Sequence, residues 1–134
     1  MNNEKEILKD LLVDEAEVQK NLVDLVKKSK NIFQIQKETG QILFKNFGNL
    51  TNPSRICALL IGKKFAKKLG LYVDDSLTIT QISKELGIPP TTLSSPIADL
   101  TKKGYVLKNE KKYEIAYARL PEILDEFFGV KNGT

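Results

Sequence analysis

The sequence predicts a mainly helical α+β fold with a small amount of sheet. Apolar residues recur at helical spacing along residues 4–30, 53–69, 79–86 and 90–103. Short strand-like runs stand at 32–36 and 41–45, and a second pair, at 105–108 and 112–116, flanks a tight polar turn.

Composition bounds what such a chain can do. It has 134 residues, 21 Lys plus Arg against 17 Asp plus Glu, a net charge of +4 and no histidine. That length suits one compact core with an appended element, and 41% apolar with 28% charged residues is ordinary for a soluble globular protein. Without histidine and with the single Cys57, the chain offers no internal disulfide, no zinc cage and no imidazole base, so no metal and no cofactor is expected. Cys57 lies in the run Ile56-Cys57-Ala58-Leu59-Leu60-Ile61 and reads as a small buried residue. Asp74-Asp75, in an expected turn, suits capping or solvation better than acid/base work. No glycine-rich phosphate loop or nucleophile–base pair is visible, and the chain is not read as an enzyme. Met1-Asn2-Asn3-Glu4-Lys5-Glu6 lacks the basic-then-apolar order of a secretory signal, and no apolar run reaches the ~20 residues of a membrane span. A cytoplasmic protein without a membrane partner is expected.

Charge is distributed unevenly, and a partner responds to local patches more than to the total. Residues 51–70 carry Arg55, Lys63, Lys64, Lys67 and Lys68 with no acid; residues 71–100 are acidic on balance; residues 102–112 carry Lys102, Lys103, Lys108, Lys111 and Lys112 against Glu110. Two basic clusters around a more acidic stretch suit a polyanion.

Taking the elements in order, Leu8, Leu11, Val18, Leu22 and Leu25 mark one face of a helix over residues 4–30, widened by Ile7, Leu12 and Val26. The stripe fits docking in cis or a homodimer interface equally, and Glu15 interrupts a strict heptad. Phe33 and Ile35 alternate with Gln34 and Gln36, and Lys37-Glu38-Thr39-Gly40 makes the turn of a β-hairpin, Gly40 supplying the left-handed conformation. Asn46-Phe47-Gly48-Asn49 is a loop at the boundary between an N-terminal extension (1–48) and the main domain (49–128); residues 129–134 form a tail.

Asn52 as N-cap and Pro53 at the first helical position open the next helix, which Gly70 ends. On its wheel Ala58, Leu59, Gly62, Phe65, Ala66 and Leu69 share one face, and Lys63, Lys64, Lys67 and Lys68 form a second basic patch on the opposite arc. Ile56, Leu60 and Ile61 make the first half apolar on other sides, which implies cover from the extension, and Gly62 permits a close helix contact.

Thr78 and Gln81 form a capping box ahead of a short helix that buries Ile79, Ile82 and Leu86, and Gly87 ends it with Ile88 turning inward. A second helix from Pro90 to Lys103 buries Leu93, Ile97 and Leu100 and stops at Gly104. Two strands around Asn109-Glu110-Lys111 complete the unit.

Helix, glycine-bearing turn, second helix and basic hairpin in this order resemble the winged helix-turn-helix family of DNA-binding domains, over about residues 53–128. The Leu86-Gly87-Ile88 step, the Leu93/Ile97/Leu100 spacing and the Lys102-Lys103-Gly104-Tyr105-Val106 exit carry the resemblance. The whole chain is also similar to small archaeal winged-helix proteins. The resemblance implies a closing helix at Leu120–Phe128, a recognition helix at Pro90–Lys103 lying in the major groove of duplex DNA, and wing lysines Lys108, Lys111 and Lys112 on phosphates. On this reading Thr91, Thr92, Ser94, Ser95, Lys102 and Lys103 also meet DNA. The outward face departs from the usual reading surface: it has no Arg, Asn or Gln for bidentate base contacts and it carries Asp99. Pro96 either bends the helix or starts a fresh one behind Ser95. Two functions result: a DNA-binding transcriptional regulator or chromatin-associated factor, acting as a homodimer, or a protein–protein interaction module that uses the winged unit as a scaffold.

Overall fold

The computed structural model describes Glu4, Leu8, residues 22–71 and residues 74–129. Leu11 and Val18 of the N-terminal stripe lie outside the described residues. Glu4 and Leu8 are helical and exposed. Helix α1 (Leu22–Ser29) buries Leu25 and half-buries Leu22, and it packs against the C-terminal helix. Leu25 is therefore used within the chain.

Strands β1 (Phe33–Ile35) and β2 (Ile42–Phe44) pair antiparallel with Phe33 opposite Phe44. Gly40 takes φ 73° and donates its N–H to the Gln36 carbonyl at 2.8 Å, which closes the turn where the sequence places it. A 3-10 turn at Phe47–Asn49 leads into helix α2 (Asn52–Lys68). Arg55 fastens the two: its Nε and Nη2 donate to the Phe47 carbonyl at 3.2 and 3.1 Å, and its guanidinium lies 4.2 Å from the Phe47 ring centroid.

The N-cap of α2 is Thr51, not Asn52. The Thr51 hydroxyl accepts from the Ser54 N–H at 3.3 Å, and Pro53, now one position further in, removes one of the donors a helix start leaves unsatisfied. Asn52 turns its Oδ1 to Arg55 Nη1 at 3.1 Å instead. From Ile56 to Gly62 every residue of α2 is buried, because β1 and β2 cover one side while the winged unit covers the other. Leu69, read as inward-facing, is 70% exposed: the helix ends at Lys68 and Leu69 lies past the layers that would cover it. Gly62 makes its close approach to the hairpin and not to a helix. A Cβ built there would stand 2.6 Å from Ile42 Cδ1.

The remainder builds one unit on α2. Strand β3 (Leu77–Thr78) leads directly into helix α3 (Ile79–Leu86). The capping box is formed in both directions, Gln81 N–H to Thr78 Oγ1 at 3.2 Å and Thr78 N–H to Gln81 Oε1 at 2.8 Å. Gly87, at φ 69°, ends α3, and Ser83 Oγ donates to the Ile88 carbonyl at 2.6 Å to hold the turn. Helix α4 (Pro90–Lys103) follows, then β4 (Val106–Asn109), β5 (Lys112–Ile115), a 3-10 turn at Tyr117–Arg119 and helix α5 (Leu120–Phe128). The sheet order is β3-β5-β4, all antiparallel, with Leu77 opposite Tyr113 and Val106 opposite Ile115. The sequence had not shown β3; it makes the expected hairpin a three-stranded sheet. The result is an α+β winged helix fold, and its core runs without a break from Leu25, Phe33 and Ile42 through α2 to Leu93, Ile115 and Ile123.

Candidate nucleic-acid interface

Helix α4 is fixed from beneath by Leu93, Ile97 and Leu100, each buried to 2% exposure or less. That stripe dictates the opposite face, where Thr91, Thr92, Ser94, Ser95, Ala98, Asp99 and Lys102 are all exposed. Ser94 is partly occupied, since its Oγ donates to the Pro90 carbonyl at 3.0 Å. The helix runs unbroken through Pro96, so no second helix starts behind Ser95. Pro96 has no N–H to offer the Thr92 carbonyl, which is left at the exposed face.

The wing stands beside this helix, because β4 packs on α4. Lys108, Lys111 and Lys112 are exposed, and with Lys102 they have no carboxylate partner among the described residues. Lys108 lies with its ammonium 5.6 Å from the Tyr113 ring centroid, which directs it along the sheet face. Glu110, at φ 60°, makes the turn between the strands without a glycine.

Lys103 is placed differently. Its ammonium binds Glu126 Oε2 at 2.5 Å, and Glu126 Oε1 accepts from the Tyr105 hydroxyl at 2.6 Å. The hydrogen bond from Lys103, and then that from Tyr105, hold the Glu126 carboxyl below the usual carboxylate range; the same bond, with burial, pushes Tyr105 up to about 12. Arg119 Nη1 donates to the Lys103 carbonyl at 3.3 Å while its Nε and Nη2 grip Glu122. Lys103 thus ties the end of α4 to α5.

The lysines of α2 do not form one solvated patch. Lys63 is buried and bridges to Glu85 of α3 at 3.0 Å. Lys64 sits between Asp75 at 2.9 Å and Glu114 of β5 at 2.8 Å, and Lys67 reaches Asp75 at 3.5 Å. Burial alone would lower Lys64, yet the hydrogen bonds to Glu114 and Asp75 outweigh it and hold the ammonium above its ordinary value. Lys67 and Lys68 are exposed, and Lys68 lies 4.3 Å from the Tyr117 ring centroid. Glu85, Glu114 and Glu126 are the residues sequence reasoning missed here, and Asp75, read as a capping or solvated residue, is an ion-pair partner instead. They come from elements distant in sequence, and no local spacing signals them.

Cys57 is buried, and burial pushes its thiol up to about 12, which leaves it a packing residue. No cluster of metal-ligating side chains occurs among the described residues, and no described helix is long and apolar enough to cross a membrane.

An exposed helix seated on a helix–turn–helix, with a basic hairpin at its flank, defines a winged helix-turn-helix unit. Residues 71–106, from the approach to β3 through α3 and α4 to the start of β4, match the family described as winged helix-turn-helix DNA-binding. No curated protein and no solved structure matches the chain.

Proposed function

We propose that this protein is a transcriptional regulator or chromatin-associated factor that binds duplex DNA with α4 in the major groove and Lys108, Lys111 and Lys112 on phosphates. The observation that carries the reading is the contrast between two sets of lysines. Lys63, Lys64 and Lys67 of α2 and Lys103 are spent on Glu85, Asp75, Glu114 and Glu126, whereas Lys102 and the three wing lysines are exposed and make no ion pair with a described acid. Unpaired cations beside a hydroxyl-bearing helix suit phosphate contact more than base reading. Thr91, Thr92 and Ser95 supply donors to the DNA backbone, and the Ala98 methyl can meet a thymine methyl. Affinity then comes from shape and charge, with modest sequence preference.

Homodimerisation completes the proposal, through the N-terminal stripe of Leu8, Leu11 and Val18. Leu8 is 49% exposed and Val23 of α1 71% exposed, so apolar surface is available beyond what Leu25 uses in cis. The test replaces Lys102, Lys108, Lys111 and Lys112 with Ala and follows binding to a random-sequence duplex over a salt series. Each lost phosphate contact should flatten the log–log salt slope by about one. Unchanged affinity and slope would overturn the assignment.

One observation favours a second reading. The exposed face of α4 carries Asp99 and no bidentate group, a surface suited to a protein partner as much as to DNA. A stable protein complex recovered from nuclease-treated lysate, with no shift of duplex at low salt, would select the protein-interaction module.

A further inference from the structure

Two features of α4 sit badly with a helix that only meets DNA: Asp99 repels phosphate, and Pro96 interrupts the hydrogen-bond ladder. Both line one groove of about 370 Å³, between α4, the start of α2 and the end of α5. Its apolar wall is Pro53, Pro96 and Phe127, each half-buried, above the buried Leu100. The Phe127 ring packs edge-on against Tyr105 at 5.9 Å, and the Phe127 carbonyl accepts from the Ser54 hydroxyl at 3.5 Å, so the wall is in place before a ligand arrives. Asp99, Lys102 and Lys103 supply the charged groups of the lining. Lys102 and Lys103 are the neighbours a helix offers Asp99, three and four positions further on, yet neither pairs with it. Lys103 is turned onto Glu126, while Asp99 and Lys102 make no ion pair with any described residue.

We propose that this groove binds one small amphipathic zwitterion, its apolar body against Pro53, Pro96 and Phe127, its ammonium on Asp99 and its carboxylate on Lys102. The volume is that of a site for a single small organic molecule. An apolar wall rewards an aromatic or branched aliphatic body. Charge selects the rest: with Lys103 neutralised by Glu126, the rim offers one free carboxylate beside one free ammonium, on Cβ atoms about 5–6 Å apart. A cation alone meets Lys102 as well as Asp99, and an anion alone meets Asp99 as well as Lys102. Only a ligand that carries both charges finds each of them opposed. The occupant also engages Lys102, and so competes with a phosphate for it. That competition rests on the DNA reading, whereas binding in the groove does not.

Calorimetric titration of the full chain, without DNA, with phenylalanine, phenethylamine and 3-phenylpropionate tests the site, with the mass in solution measured alongside. Phenylalanine should saturate one site per chain, and each singly charged analogue should bind at least about fivefold more weakly. Asp99→Asn, at an exposed position, should remove the advantage of phenylalanine over 3-phenylpropionate with an unchanged melting temperature. Titration of a duplex with saturating phenylalanine should then show a log–log salt slope flattened by about one. No phenylalanine binding, equal affinity for either analogue, or an Asp99→Asn variant that keeps the preference would overturn the site. So would dissociation of a dimer by phenylalanine, since a second copy would then fill the groove. Duplex binding that phenylalanine leaves unchanged would overturn the competition alone. Phenylalanine binding without any duplex binding would overturn the DNA reading, and the competition with it, and would leave the groove standing.

Discussion

Gly62 shows how far a single position can constrain this fold. It is buried in α2 and its missing Cβ makes room for the Ile42 side chain, whose Cδ1, Cγ1 and Cγ2 would stand 2.6, 3.0 and 3.2 Å from an added methyl. Ile42 is itself buried and pinned by strand pairing, so it cannot swing away at low cost. Gly62→Ala gains helix propensity but should still destabilise the chain by about 1–3 kcal/mol through overpacking, read from the urea midpoint. A stabilised variant would mean that the hairpin sits loosely on α2. At this scale the sequence was legible where one residue decides its own conformation, as at Gly40, Gly87 and Thr78. It misleads where a neighbour competes: Asn52 reads as the N-cap, whereas the fold sets the Thr51 hydroxyl on the Ser54 N–H.

At the scale of elements, α4 carries an unusual cost. Pro96 interrupts the hydrogen-bond ladder in mid-helix, yet the helix continues because Leu93, Ile97 and Leu100 hold both halves on the core. Pro96→Ala restores the bond to the Thr92 carbonyl and should raise stability by about 1–2 kcal/mol, less than the full interior-proline penalty because the proline also restricts the unfolded chain. Thermal melting checks this; a lower melting temperature would show that the proline ring packs productively. Helices α2, α3 and α4 and both hairpins were readable from periodicity and turn residues. Strand β3 was not, because two residues show no alternation and its existence depends on Tyr113 and Lys112, more than thirty positions away. For the same reason a helical wheel put Lys63, Lys64, Lys67 and Lys68 on a solvated arc. A wheel knows only its own helix, and the acids that neutralise three of them arrive from α3, β5 and the approach to β3.

Across the whole molecule, Lys64 joins α2 to β5 and to the segment entering β3, which makes the ion-pair network a clasp between the scaffold and the winged unit. Burial would raise Asp75, but the hydrogen bond and charge of Lys64, with help from Lys67, hold its carboxyl below the usual value. A lowered carboxylate contributes stability that is fully present above the unfolded value of ~3.9 and is lost as the pH falls through the folded one. Asp75→Asn should therefore be less stable than the parent at neutral pH, and the difference should close as the pH drops below that window. A difference independent of pH in denaturant titrations would remove the clasp from the account. The site at this scale was only half legible: the exposed face of α4 and the wing lysines follow from local pattern, whereas the diversion of Lys103 to Glu126 depends on how α5 packs. The central claim, that Lys102, Lys108, Lys111 and Lys112 make a phosphate-binding surface, is tested most directly by titrating the intact chain against a fluorescent random-sequence duplex at low and physiological salt. The account predicts micromolar or tighter binding at low salt, weakening with a log–log slope of about −3 to −4. No binding at low salt, or binding that salt does not weaken, would contradict it.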